Sequence, residues 1–202
     1  MEYKVNEIVS FDKYMWRVLE VQDDKVLLLT EEIITKMPYH YTYTETTWEN
    51  SDIRKYLNTD FYNSFDQKSK ELILLNKIIN IPNQWYKTDA GADTFDYVFL
   101  LDVYDVVAKY FGDSSDRLIR KSEKQRYWFN FRDSNNIKRL AKYKGQNFWW
   151  WLRSPGRNNK TAVYIHGNPI GCVGINGNSV FFSSYPPERN GGVRPAIWIK
   201  IK

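Results

Sequence analysis

Eight tryptophans, fifteen tyrosines and eleven phenylalanines crowd a chain of 202 residues. That density of rings constrains the fold more than any other feature. Aromatic side chains bury large areas at a small cost in rotamer entropy, so a core can form here without many aliphatic residues. Many of the rings lie in segments whose polarity alternates at every second residue, the period of a half-buried strand. An α+β fold rich in sheet is therefore expected. With 43% apolar and 26% charged residues, the composition is that of a folded protein and excludes a disordered tail. The length suits one domain better than two.

Residues 8–11, 14–21 and 26–30 predict a β-meander. Residues 49–51 offer caps for a helix whose apolar face is Ile53, Tyr56 and Leu57, with Asn58 as its stop. Asp66 caps a second helix carrying Leu72, Ile73 and Leu75, and residues 96–101 read as a buried strand. Asp102 then caps a short helix with Val103, Val106, Val107 and Tyr110 on one side. Asn135 and Asn136 start a basic helix through Ile137, Leu140 and Ala141, stopped by Gly145. Beyond it the chain is β again: 149–153, 162–165, then 172–175 and 179–182 joined by a tight turn at Asn176 and Gly177. Residues 193–202 alternate, with Ile197, Ile199 and Ile201 on one face, and the N-terminal strand is the expected partner.

The chemistry-bearing residues are few. Cys172 is the single cysteine, which excludes an intrachain disulfide and any multi-cysteine metal site. It lies in an apolar strand sequence and reads as an inert buried thiol rather than a nucleophile served by His166. His40 and His166 lack metal-ligand spacing, and a solvent-exposed or structural role is expected for both. Gly171, Gly174 and Gly177 precede no helix and read as strand kinks or turns. No catalytic residue, cofactor or metal is therefore assigned. Trp149, Trp150 and Trp151 read as core rings. Arg153 and Arg194, each near a proline at a strand end, read as structural guanidinium groups that satisfy buried carbonyls or carboxylates. Apolar runs reach only about four residues, far short of a membrane span, and the charged start is unlike a signal peptide; a reducing cytoplasm is the expected location.

Two surfaces stand out. Residues 117–144 hold ten basic residues against only Glu123 and Asp133, within a net charge of +5 for the whole chain. An anion-facing patch is expected from Arg117, Arg120, Lys121, Lys124, Arg126, Trp128, Arg132, Lys138, Arg139 and Lys142. Its interleaved rings could stack on bases while its cations attract phosphate, and an acidic protein surface would be served equally well. The second surface is the turn-rich stretch 157–189, where Arg157, Asn158, Asn159, Lys160, Tyr164, His166, Phe182, Tyr185, Glu188 and Arg189 mix adaptable polar groups with rings, the make-up of a recognition loop.

Four blocks carry a resemblance. They are Trp16-Arg17-Val18-Leu19; then Thr47-Trp48-Glu49-Asn50-Ser51 with Ile53-Arg54 and Leu57-Asn58; then Trp150-Trp151-Leu152-Arg153-Ser154-Pro155-Gly156; and finally Gly192-Val193-Arg194-Pro195-Ala196. In this order they resemble an uncharacterised domain family of bacteria and their phages, itself similar to C-type-lectin-like folds of the formylglycine-generating-enzyme type. The resemblance implies one C-type-lectin-like domain over residues 1–202, with paired terminal strands and a long loop region for ligand contacts. Against it, a basic insertion stands at about 113–147. The cysteines on which the formylglycine-generating relatives depend are not supplied in number. The expectation is a non-enzymatic binding module that grips a macromolecular partner with the 157–189 loops, helped by the basic segment. A protein or ribonucleoprotein is the favoured partner, for example a host-defence complex blocked by a phage-encoded inhibitor. Direct nucleic-acid binding through 117–144 is the alternative, and an uncharacterised enzyme using Cys172 or His166 comes third.

Overall fold

The structure, a computed structural model, describes residues 2–118, 133–168, 171–181 and 190–201. Strands β1 (Ile8–Phe11), β2 (Tyr14–Val21), β3 (Lys25–Thr30) and β4 (Thr35–Lys36) come first, followed by helix α1 (Asp52–Tyr56) and helix α2 (Gln67–Leu72). Strands β5 (Asn76–Ile78), β6 (Thr94–Asp96) and β7 (Val98–Phe99) lead to helix α3 (Asn136–Arg139). The remainder is β8 (Ala141–Tyr143), β9 (Gln146–Phe148), β10 (Trp150–Pro155), β11 (Thr161–Ile165), β12 (Val173–Ser179), β13 (Gly192–Val193) and β14 (Ala196–Lys200).

One five-stranded sheet has the order β1-β2-β3-β14-β7, and a second has the order β12-β11-β10-β13-β4. The chain steps directly from one sheet to the other after β3 and again between β13 and β14, and these two crossings lie side by side. Thr30 N donates to Pro195 O at 3.0 Å, and Ile34 N to Val193 O at 2.9 Å. One apolar cluster joins the sheets: Trp16, Leu28 and Ile197 of the first share it with Trp150, Val163 and Val193 of the second. The expected meander is present. The last strand does lie in the same sheet as the first, but its neighbours are β3 and β7, in the register Ala196↔Leu29 and Ala196↔Phe99. Partner choice follows burial: β3 is apolar along its length, while β1 is half-exposed and suits an edge.

Four local expectations are corrected, the last in part. Asn58 does not stop the first helix, which continues as a π-helical stretch over Leu57–Phe61; its side chain instead accepts from Tyr97 N at 2.8 Å and donates to Val98 O at 2.8 Å. The expected basic helix stops at Arg139, because residues 141–148 form a hairpin whose two turn residues, Lys144 (φ 50°) and Gly145 (φ 81°), are both left-handed. Asn176 and Gly177 make no hairpin either. They lie inside the continuous strand β12, where residues 175–177 bulge opposite Val163. The cap at Asp66 forms, its carboxylate accepting from Ser69 N at 2.7 Å, but Leu72 and Leu75 are exposed and only Ile73 reaches the core.

Candidate functional site

The motif residues turn inward. Trp16, Trp48, Trp150 and Trp151 are fully buried, and their indole N–H groups donate to Phe11 O, Asp96 Oδ2, Arg139 O and Met37 O at 2.8–3.0 Å. Asp96 also accepts from Arg54 Nε at 2.7 Å and Thr94 Oγ1 at 2.7 Å, so one buried carboxylate ties α1 to β6. In β10, residues 152–154 bulge opposite Val163. The bulge frees Arg153 N to donate to Leu101 O at 3.0 Å, and the guanidinium grips Asp102 and Asp105 at 2.6 and 3.1 Å. The structural reading of Arg153 and Arg194 is what the geometry shows. His40 also has a structural place: its Nδ1 stands 2.7 Å from Asp52 Oδ2 beside α1.

Beside the Arg153 cluster an open cavity of ≈ 430 Å³ is lined by Asn83, Trp85, Asp102, Tyr104, Val107 and Ser154, among others. Its polar floor is already committed. Asp102 accepts from Arg153 Nη2 and Asp105 N, and Ser154 Oγ accepts from Val103 N at 3.0 Å. Asn83 Nδ2 donates to Pro155 O and Ile175 O. Burial, and then the charge of Asp102, push the Asp105 carboxyl above the usual range. These groups hold the wall together.

Cys172 is fully buried, and burial pushes its thiol up to about 11, which makes it a poor nucleophile. Its carbonyl accepts from His166 N at 2.8 Å, a backbone contact rather than a thiol–imidazole pair. Burial also holds the His166 imidazole below its ordinary value. Among the described residues no group of three His, Cys, Asp or Glu side chains could hold a metal, and no helix is long and apolar enough to cross a membrane.

The loop residues expected to bind a ligand divide into two groups. Arg157, Asn158, Asn159 and Lys160 form the turn between β10 and β11, closed by Thr161 Oγ1 donating to Asn158 O at 2.8 Å. Two neighbouring loops brace it: Thr46 N donates to Asn159 O at 2.9 Å, and Asn159 Nδ2 to Asp89 O at 3.1 Å. Lys160 Nζ stands 5.2 Å from the ring centre of Tyr43, which with Tyr41 is among the most exposed rings described. Tyr164 and His166 lie toward the other end of β11, within a row of half-buried rings. Centroid separations run 6.3 Å for Tyr143–Phe148, 6.2 Å for Phe148–Trp149, 5.4 Å for Trp149–Tyr164 and 6.1 Å for Tyr164–His166. Lys36 Nζ sits over Tyr143 and Phe148 at 5.2 and 4.8 Å. Trp150 and Trp151 match the core reading, but Trp149 does not share their complete burial. Phe182, Tyr185, Glu188 and Arg189 lie outside the described residues.

Of the expected basic patch, Arg120, Lys121, Lys124, Arg126, Trp128 and Arg132 lie outside the described residues, as does the side chain of Arg117. Lys138 and Lys142 are exposed. Arg139 is corrected: it is 1% exposed, bonds Val106 O and Ser114 Oγ, and pairs with Asp133 at 3.0 Å, so it fastens α3 to the core and is no part of an exposed patch. The sequence signal for this was the lone Asp133 six residues upstream.

A family model described as "Domain of unknown function (DUF6273)" matches residues 23–201. No curated protein matches the chain, and no solved structure does.

Proposed function

We propose a binding role for this chain, which belongs to the DUF6273 family of domains of unknown function: it is a non-enzymatic module that docks a macromolecular partner, a protein in the first place. The observation that carries this reading is the row Tyr143–Phe148–Trp149–Tyr164–His166 with Lys36 at one end. Rings that keep one edge open and are held rigidly by their neighbours supply contact area at little entropic cost, the property of interface anchors. Toward the other end of β11, exposed Arg157, Tyr41 and Tyr43 with half-buried Lys160 offer a second group of cations and rings on braced loops.

We read the fold as C-type-lectin-like. Support comes from strands of both chain ends sharing one sheet, while the second sheet carries the long connections. A cytoplasmic setting, with Cys172 kept as a thiol, belongs to the same reading.

The test is capture from bacterial lysate with the wild-type chain and with Lys36→Glu, Tyr164→Ala and Lys160→Glu, each first shown to keep the wild-type melting temperature. A partner retained after nuclease treatment and lost in these variants supports the proposal. Capture that nuclease abolishes, with a slope near −5 in log K against log salt for about six phosphate contacts, transfers the reading to nucleic acid. Capture indifferent to all three substitutions overturns the site.

A further inference from the structure

Arg194 stands where the two sheet crossings meet, and it is 2% exposed. Its Nε donates to Thr30 O at 2.9 Å and its Nη2 to Glu31 O at 3.3 Å, while Nη1 is buried without a hydrogen-bond partner. Among the described residues no carboxylate pairs with it. The Glu31 carboxylate is engaged by Arg17, whose Nε donates to Oε2 at 2.9 Å. The Arg194 guanidinium lies over the Trp150 ring, its central carbon 5.1 Å from the ring centre. A guanidinium held this way keeps its charge at a large desolvation penalty that carbonyl oxygens offset only in part. The strain shows in its titration: burial, and the nearby charge of Arg17, lower Arg194 to about 10 despite the attraction of Glu31.

This cation lines an open cavity of ≈ 460 Å³. The charged residues around the cavity are Arg17, Lys138, Arg194 and Glu31, so positive charge prevails by three groups to one. The rest of the wall is mixed: Asn6 and Tyr110 stand with Phe111, Leu140 and Ile137, the last 71% exposed at the rim, so the apolar part is a patch rather than a lining. Lys138 Nζ is exposed and donates to Asn135 Oδ1 at 2.9 Å, which leaves further donors on the same ammonium. Excess buried positive charge, an exposed ammonium and an apolar patch suit a ligand with an anionic head and a hydrophobic body.

We propose that this cavity binds a small organic oxyanion, a phosphate monoester or a carboxylate, whose head is drawn by Lys138 and Arg194 and whose body lies against Ile137 and Leu140. The site shares no residue with the aromatic row and stands whether or not that row docks a partner.

The experiment uses the full chain and calorimetric titration with phenyl phosphate, benzoate and inorganic phosphate, each against sodium chloride at matched ionic strength. Saturable binding of phenyl phosphate or benzoate is expected, and the tighter of the two identifies the head group. Lys138→Glu, an exposed change that leaves the melting temperature unchanged, should weaken that binding about tenfold or more, as expected when a cation beside a bound anion becomes an acid. Arg17→Gln, which frees Glu31 to neutralise Arg194, should weaken it as well. No saturable heat with any probe, or equal binding by Lys138→Glu, overturns the site. Inorganic phosphate binding as tightly as phenyl phosphate overturns the part assigned to the apolar patch.

Discussion

Arg153 Nη2 donates to Asp102 Oδ2 at 2.6 Å across 51 residues of chain, tying the bulge of β10 to the residue that precedes the helical turns of residues 103–109. The pair is almost fully buried, so removing one partner strands the other charge. Arg153→Met is expected to cost about 3–5 kcal/mol in urea unfolding. The double variant Arg153→Met, Asp102→Leu should recover part of that loss, and a loss below about 1 kcal/mol in the single variant would show that the pair is not a fastening of the fold.

Two carboxyls make stability depend on pH in opposite directions. Although burial acts to raise Glu20, bonds from Tyr110, Lys109 and Gln22 lower it to about 2. Its contribution is present above the unfolded value and lost as pH falls through the folded one. Glu20→Gln should therefore flatten the acid limb of the stability profile between about pH 4 and 2.

Asp105 titrates the other way, raised by burial and by Asp102. Its contribution is complete below the unfolded carboxylate value and is lost as pH rises through the raised folded one. Asp105→Asn should make stability less dependent on pH across that upper window, read by denaturant titrations at a series of pH values, whereas a profile identical to wild type would contradict the assignment.

Gly177 and Gly145 separate backbone strain from crowding. Both have positive φ, 76° and 81°, but a Cβ on Gly177 would lie 2.8 Å from Ala162 O, while nothing stands within 4 Å of one on Gly145. Gly145→Ala is expected to cost about 1–2 kcal/mol from its left-handed conformation alone. Gly177→Ala should cost clearly more, as measured by chemical denaturation.

Cys172 should react with iodoacetamide only as fast as the surrounding structure opens, since the thiol is buried and pushed up to about 11. Mass spectrometry of the native protein should show labelling that accelerates with urea. Labelling at the rate of a free thiol without denaturant would refute the burial.

The strands that alternate or run apolar could be read from the chain because burial writes itself into local pattern, as in β2, β3 and β14. Pairing could not. Nothing in Ile197, Ile199 and Ile201 distinguishes β3 from β1 as a neighbour, since partner choice depends on what the other elements leave uncovered. Asn176–Gly177 carries the strongest local turn signal in the chain, yet pairing with β11 on both sides holds it inside a strand. Lys144–Gly145 carries a weaker one and forms the tight hairpin. The most recognisable motifs around Trp48 and Arg153 mark internal fastenings, so they spoke of architecture and were silent on ligand. Trp149 reads as a core ring like Trp150 and Trp151, but β10 begins only at Trp150, and Trp149 before it stays half-buried. Arg139 looked like its basic neighbours because sequence charge carries no burial information.

The place of β14 between β3 and β7 has a kinetic consequence. Arg194, at its threshold, binds a carbonyl 164 residues away, so the first sheet closes through a contact of very long loop and folding should be slow. A chain clipped before Gly192 would lose β13 as well as β14 and leave four bare strand borders, on β3, β7, β10 and β4, and such fragments should aggregate rather than persist as a smaller folded unit.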